Sequence, residues 1–168
     1  MRYSDLSLRE FFKAAEKEKW FNNTIFIITA DHTNYLERPD FYSTFHIPCL
    51  IYSPAHVTPG VNTSPGSHID ILPTILDLLN ISTVHSSMGK SMLVSDTNKC
   101  CFVKYNDEFV IINGTQALFN NLDGGVKLVD YKTGKEINSR TNSEMLNRQL
   151  LSYLQTATNA VVGDRIYK

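Results

Sequence analysis

An acidic residue and a histidine stand side by side where an apolar segment of the chain ends. Residues 24–30 are rich in β-branched and aromatic side chains, and Asp31 and His32 follow them directly. A continuous apolar run of this length predicts a β-strand that is buried on both faces. Because open α/β sheets bind ligands beyond the carboxyl ends of their strands, this carboxylate and imidazole are candidate ligands of a divalent metal ion. The same pair can also cap a helix or close a turn, and the dipeptide alone leaves both interpretations open.

Three further side chains are candidates for contacts with an anionic substrate. His46 precedes a second apolar segment, residues 47–53, which predicts another buried strand. Its imidazole could hydrogen-bond a substrate oxygen or a leaving group, or it could simply pack and bond a backbone group. Arg38 and Lys90 lie in predicted loops and could contact an anion, although most basic side chains in loops are only solvated.

His68 lies beside a predicted helix start, where a phosphate or a second metal ion can bind. The same segment also has a purely structural explanation. Asp70 suits a helix cap and Pro73 suits the first helical turn, so both interpretations of His68 stay open.

The composition excludes several classes of protein. The chain has 168 residues, 42% of them hydrophobic, which is enough for one domain with its own core. Its formal net charge is −1 and it has no basic stripe, so nucleic acid is not an expected partner. No apolar stretch is long enough to cross a bilayer, and the chain itself is expected to be soluble. The cysteines (Cys49, Cys100 and Cys101) form neither a disulfide framework nor a metal-ligand set, and Cys49 is predicted to lie in the core.

Periodicity predicts an α/β fold, with a mostly parallel sheet flanked by helices and a small antiparallel piece at the carboxyl terminus. Amphipathic helices are predicted over residues 4–20, 67–80 and from about 142 onwards. Short antiparallel strands separated by tight turns are predicted from residue 100 to residue 131. Either Ser4 or Ser7 could cap the first helix, and Ser7 with Glu10 has the spacing of a capping box. Thr141 with Glu144 offers a capping box for the last helix.

Three sequence blocks occur in the order found in a known family. They are NTIFIITADH at residues 23–32, HIPCLIYSP at 46–54 and SHIDILPTIL at 67–76, followed by Gly89-Lys90-Ser91. Together they resemble the sulfatase domain of the alkaline phosphatase superfamily, and within it the lipoteichoic acid synthase and phosphoglycerol transferase branch. The resemblance covers about residues 1–95 and is looser for residues 96–168. It implies that residues 1–95 are the carboxyl-terminal half of an alkaline phosphatase-like α/β catalytic domain, completed by the strands and closing helix of 96–168.

The resemblance also implies the chemistry. In this family an Asp-His pair after the strand supplies two metal ligands, which map onto Asp31 and His32, and the metal is manganese or zinc, or else magnesium or calcium. The nucleophile and the first acidic ligand lie upstream in the family, so we expect a missing amino-terminal half and no catalysis by this chain alone. The implied substrate is an anionic ester, either a glycerol-phosphate lipid or a sulfate ester. The parent protein is expected to be membrane-anchored, with this domain on the extracytoplasmic side. The alternative is a non-catalytic α/β interaction module in which the Asp-His pair only shapes a loop.

Overall fold

The chain divides into two compact units. The computed structural model describes residues 2–33, 41–94, 96 and 99–163. Unit 1 consists of Met1–Glu37 and Ser43–Val61, and unit 2 consists of Arg38–Tyr42 and Asn62–Lys168.

Unit 1 begins with helix α1, Arg2–Ala15, followed by a short 3-10 helix, Phe21–Asn23, and strand β1, Phe26–Thr29. The helix ends five residues earlier than the predicted boundary at residue 20. Ser7 lies inside α1 and donates its hydroxyl to the carbonyl of Tyr3 (2.9 Å), so the capping box expected at Ser7 is not the start of the helix.

An aromatic cluster holds unit 1 together. The Phe12 ring of α1 lies 5.1 Å from the ring of Phe26 and 5.5 Å from that of Tyr52, both in edge-to-face geometry. Phe21 is buried and its ring lies 5.4 Å from that of Phe26. Edge-to-face pairs place positive ring edges against negative faces, so these contacts fix α1 on the strands beyond simple apolar burial.

The strands of unit 1 run antiparallel, and the prediction of a mostly parallel sheet is wrong. Strand β2, Cys49–Tyr52, pairs with β1 in a register that joins Phe26 to Tyr52 and Thr29 to Cys49. Both sheets of the described residues, with two and four strands, contain only antiparallel pairs. The physical reason is that apolar composition specifies a strand but not the direction of its partner, and the segment between β1 and β2 is long enough for either direction.

The strands of unit 1 are also less buried than their composition suggests. Residues of β1 are half-buried or exposed, Leu50 of β2 is 53% exposed, and Cys49 is exposed. The predictions of a strand buried on both faces and of a core position for Cys49 are therefore wrong. Apolar side chains are buried only where other elements cover them, and in this structure the first two residues of β2 are left uncovered.

Helix α2, Phe41–Phe45, lies between β1 and β2 in the sequence. After residue 61, unit 2 continues with a 3-10 helix, His68–Asp70, that runs into α3, Ile71–Leu78. After α3, Asn80 adopts a positive φ of 53°, which turns the chain away at the predicted end of this helix. The rest of the unit is an antiparallel meander and a long final helix. Its elements are β3 (Cys100–Tyr105), β4 (Glu108–Asn113), β5 (Gln116–Asn120), β6 (Val126–Asp130) and α4 (Arg140–Val162).

The capping box predicted at Thr141 is displaced by two residues. Ser139 is the N-cap of α4, and its side chain accepts a hydrogen bond from the backbone nitrogen of Asn142. Serine is as good a cap as threonine, so the S-x-x-N and T-x-x-E patterns compete, and the sequence alone does not rank them.

The core of unit 2 lies on both faces of the four-stranded sheet. On one face, which we call the helix face, Leu146 and Leu150 of α4 pack against buried residues of the sheet, namely Ile111, Leu118 and Leu128. On the opposite face, which we call the aromatic face, Phe41 packs against a second buried group, namely Val110, Ala117, Phe119 and Val129. Strand alternation sends neighbouring residues to opposite faces, which explains how Val110 and Ile111 belong to different clusters. Within the described residues, no helix has the length and apolar character needed to cross a membrane.

Candidate functional site

The side chains of Asp31 and His32 meet just beyond the end of β1. The Nε2 atom of His32 lies 3.3 Å from the Oδ2 atom of Asp31, and the backbone nitrogen of His32 donates to Oδ1 of the same carboxylate at 2.9 Å. Both side chains are accessible, with 86% of Asp31 and 53% of His32 exposed. The exposure leaves room for a ligand that contacts both of them.

A backbone contact orients the imidazole. The Nδ1 atom of His32 lies 2.6 Å from the carbonyl oxygen of Thr33, a distance at which Nδ1 carries the proton and donates it. In the neutral ring, Nε2 then presents its lone pair on the side of the Asp31 carboxylate. Two electron-rich atoms at this distance repel each other unless a proton or a cation lies between them. The space between these two atoms can therefore accept either a proton or a cation.

The spacing of the two atoms fits a shared divalent metal ion. Nitrogen and oxygen ligands about 2.1 Å from zinc, at octahedral to tetrahedral angles, lie about 3.0 to 3.4 Å from each other. The observed 3.3 Å falls in this range. A histidine that ligates through one nitrogen and donates from the other to a carbonyl is the usual arrangement in metal sites. The described residues include no group of three His, Cys, Asp or Glu side chains able to hold a metal ion, so this pair is at most part of a coordination shell.

The segment that contains His46 runs next to the segment that follows β1. The Thr29 hydroxyl donates to the carbonyl of Pro48 at 2.9 Å, and the Thr33 hydroxyl donates to the carbonyl of Thr44 at 2.7 Å. His46 lies in the segment between these two contacts, which runs next to the segment that carries His32. Arg38, the other candidate of this region, lies outside the described residues.

The remaining candidates lie in unit 2. His68 is exposed at the first residue of its 3-10 helix. Lys90 donates its ammonium to Asp96 at 2.7 Å and its backbone nitrogen to Asp70 at 2.8 Å. The Lys90 side chain is thus held by an acidic neighbour, and its role as an anion contact stays a prediction.

Asp70 is the centre of a buried polar network. Its carboxylate accepts the backbone nitrogens of Ser67 and Lys90, both at 2.8 Å, and lies 3.7 Å from the Lys99 ammonium. The side chains of Asp70 and Lys99 are 3% and 4% exposed. The sequence predicted Asp70 as the cap of this helix, but its side chain makes no cap hydrogen bond to α3. Asp70 is instead the third residue of a capping box whose N-cap is Ser67. The ion pair with Lys99 was missed, because a single lysine ahead of a strand gives no signal of burial.

Burial and this network also act on a neighbouring thiol. The pKa of Cys101 is raised to about 12, chiefly by burial and also by the Asp70 carboxylate, while the Lys99 ammonium acts in the opposite direction. The thiol therefore stays protonated and unreactive at neutral pH, which is the behaviour of a core cysteine and not of a nucleophile or metal ligand.

Comparison with known proteins shows a similarity to one family over the first part of the chain. A family model described as Sulfatase matches residues 1–81. Lipoteichoic acid synthase 1 of Bacillus subtilis (strain 168) is 24% identical over 179 aligned positions, which cover 97% of this chain and 27% of that protein. The chain therefore spans about a quarter of the length of this relative.

Solved structures show a similar fold. A protein of the alkaline phosphatase superfamily from Vibrio parahaemolyticus has a TM-score of 0.81 and 22% identity, and the match covers 96% of this chain and 41% of that one. BT4656 in complex with its substrate D-glucosamine-2-N,6-O-disulfate has a TM-score of 0.60 and 18% identity, with 92% and 38% covered. The chain is therefore similar to part of a sulfatase domain over residues 1–81, and as a whole it is distantly similar to lipoteichoic acid synthase.

Proposed function

We propose that Asp31 and His32 supply two ligands of a divalent metal ion in a sulfatase-family domain that transfers or hydrolyses phosphoryl or sulfuryl esters. The observation that carries this proposal is the 3.3 Å approach of Nε2 to Oδ2, with Nδ1 held by the Thr33 carbonyl. An oxygen and a nitrogen donor suit manganese or zinc, and magnesium or calcium are second choices because they prefer oxygen ligands.

Each residue has a defined part in this proposal. The metal, when bound, supplies Lewis-acid stabilisation of the charge on ester oxygens and activation of a nucleophile. Asp31 contributes negative charge, and Thr33 holds the His32 ring in the tautomer that can ligate. His46, in the adjacent segment, would hydrogen-bond an ester oxygen or a leaving group. The relatives are longer than the part that this chain matches. We expect the remaining metal ligands and the nucleophile to lie in the part of the full protein that corresponds to their unmatched residues.

The substrate class is an anionic ester. The similarity to a lipoteichoic acid synthase favours a glycerol-phosphate lipid, and the sulfated sugar bound by BT4656 keeps a sulfate ester as the second candidate. His68 and Arg38 are proposed substrate contacts outside the metal pair. A synthase of a lipid-linked polymer works at a membrane, so we place the full protein there, with this domain on the extracytoplasmic side.

Metal binding tests the proposal directly. The full 168-residue chain is titrated with Mn²⁺, and free Mn²⁺ is followed by electron paramagnetic resonance. We expect weak binding that Asp31→Asn or His32→Gln reduces by about tenfold or more, since each variant removes one of only two donors. His85→Gln, at an exposed loop histidine, is the matched control and should bind like the wild type. Binding that survives both site variants, or no binding at all, would remove the metal site and leave the interaction module as the explanation.

Activity requires the longer protein. We expect the isolated chain to cleave neither bis(p-nitrophenyl) phosphate nor p-nitrophenyl sulfate, because it carries only part of a metal shell. In the full-length protein, Asp31→Asn should abolish turnover, and His46→Gln should lower kcat by about 10²- to 10⁴-fold, the usual contribution of a proton-transferring group. Wild-type turnover in full-length Asp31→Asn would contradict the assignment.

A further inference from the structure

The aromatic face of the four-stranded sheet contains a cavity of about 360 Å³. This volume is at the lower end of the range for small-molecule sites, about 300 to 1,000 Å³, and gives room for a single ring with its substituents. Its walls come entirely from unit 2. Its lining includes three aromatic residues, Phe41, Phe119 and Tyr131, and three polar residues, Glu108, Lys127 and Thr133.

Aromatic rings form the floor of the cavity. Phe41 lies 4.8 Å from Phe119 in edge-to-face geometry, and Tyr105 packs against Phe41 at 5.4 Å. Because Phe119 is only 9% exposed, its ring is a rigid surface rather than a mobile side chain. Phe41 is half-buried and also lines the cavity, so its ring is the more accessible aromatic surface for C–H groups of a ligand.

Two opposite charges flank this floor. Lys127 is the cross-strand partner of Phe119, and Glu108 is two residues before Val110, the other partner of Phe119, so strand alternation puts both side chains on the aromatic face. Within the described part of the chain, neither Glu108 nor Lys127 makes an ion pair or a side-chain hydrogen bond. Their charges cancel, which disfavours both an anion and a cation as the ligand.

We propose that this cavity binds a neutral sugar ring of a glycan. A pyranose has an apolar C–H face that stacks on an aromatic ring and a rim of hydroxyls that are donors and acceptors. The Glu108 carboxylate can accept from such hydroxyls and the Lys127 ammonium can donate to them. An apolar peptide side chain would leave both charged groups without a partner, and a phosphate or sulfate ester would be repelled by Glu108. The proposal does not depend on the metal site in unit 1.

Sugar titration tests the proposal. The full chain, labelled with ¹⁵N, is titrated with methyl β-D-glucopyranoside and with N-acetylglucosamine, and the amide resonances of residues 108, 119, 127 and 129 are followed. We expect saturable shifts at these residues with a dissociation constant on the order of millimolar, typical of one small ring. Inorganic sulfate and glycerol 1-phosphate should cause no saturable shift at these positions.

Variants separate a built site from non-specific contact. Glu108→Gln and Lys127→Met should each weaken sugar binding by about fivefold to tenfold, since each removes one charge-assisted hydrogen bond. Lys135→Met, in the exposed segment after β6, is the matched control and should leave binding unchanged. The proposal is overturned if no sugar gives saturable shifts. It is also overturned if sulfate binds and only Lys127→Met, not Glu108→Gln, weakens that binding, or if an apolar peptide shifts the same resonances while sugars do not. Since both substituted side chains lie on the surface of the sheet, an unchanged spectrum outside the cavity verifies that the variants fold.

Discussion

At the scale of single residues, Asp70 has the strongest expected effect on stability. Its carboxylate is buried against the Lys99 ammonium and also holds two backbone N–H groups. Asp70→Ala leaves Lys99 as a buried charge without compensation, so we expect a loss of about 3 to 5 kcal/mol in the free energy of unfolding. Urea denaturation followed by circular dichroism measures this loss.

Two further variants isolate the charge effect of Asp70. The double variant Asp70→Asn with Lys99→Met removes both charges and should recover part of the stability, because no unpaired charge remains in the interior. Lys90→Met breaks the pair with Asp96, in which the lysine side chain is 61% exposed, and should change stability by less than about 1 kcal/mol. If the single and double variants are equally unstable, the backbone contacts of Asp70 matter and its charge does not.

Cys101 links stability to pH. Its pKa in the folded chain is about 12, whereas a thiol in an unfolded chain titrates near about 8.5. Below the pKa of the unfolded chain, the thiol is protonated in both the folded and the unfolded state, and its contribution to stability is fully present. As the pH rises above it, the unfolded chain releases its proton first, so stability falls, by up to about 1.4 kcal/mol per pH unit, until the folded pKa is passed.

A comparison of wild type with Cys101→Ala tests this linkage. Urea unfolding at pH 8 and pH 10.5 should show that the wild type loses about 2 kcal/mol more than the variant over this interval. The other titrating groups are common to both proteins, so they cancel in the difference. Equal losses in the two proteins would mean that Cys101 ionises in the folded state and is less buried than the structure shows.

At the scale of elements, α4 stabilises unit 2 through one face. Leu146 is 1% exposed and packs on the helix face of the sheet, whereas Met145, one residue earlier, is 48% exposed. Leu146→Ala should cost about 2 to 5 kcal/mol, from lost apolar burial and the cavity that is left. Met145→Ala, the matched control, should change stability by less than about 0.5 kcal/mol. Chemical denaturation of both variants checks the difference, and a similar cost at both positions would contradict the packing of α4.

The elements also show what local pattern can and cannot predict. Residues 100–131 alternate between apolar and turn-forming residues at short intervals, and short turns leave antiparallel pairing as the only option, so the meander was predictable. The connection between β1 and β2 allowed either direction, and the pattern of apolar residues was the same in both cases. The position of Asp31 and His32 beyond β1 was predictable, because it depends only on where the strand ends and not on the direction of its partner. The Thr33 carbonyl that orients His32 was not, since any residue supplies a backbone carbonyl.

At the scale of the whole molecule, burial is unevenly divided between the two units. Among the described residues, the buried hydrophobic side chains of unit 1 are Ala15 and Phe21, whereas both larger core clusters lie in unit 2. Composition alone predicted one domain with one core. Sequence composition counts apolar residues, but it does not show that many of those in unit 1, such as Phe11 and Leu50, stay about half exposed.

This division predicts that unit 1 unfolds at a lower denaturant concentration than unit 2. Trp20 is the only tryptophan of the chain and lies in unit 1, with its ring 6.2 Å from that of Phe26, so its fluorescence reports on unit 1 alone. Far-ultraviolet circular dichroism is dominated by the meander and α4 of unit 2. In a urea titration, the fluorescence midpoint should precede the dichroism midpoint, because free energy from apolar burial scales with the area removed from water. Leu146→Ala should then lower the dichroism midpoint and leave the fluorescence midpoint in place. Coincident midpoints that shift together in this variant would show that the two units unfold as one cooperative structure.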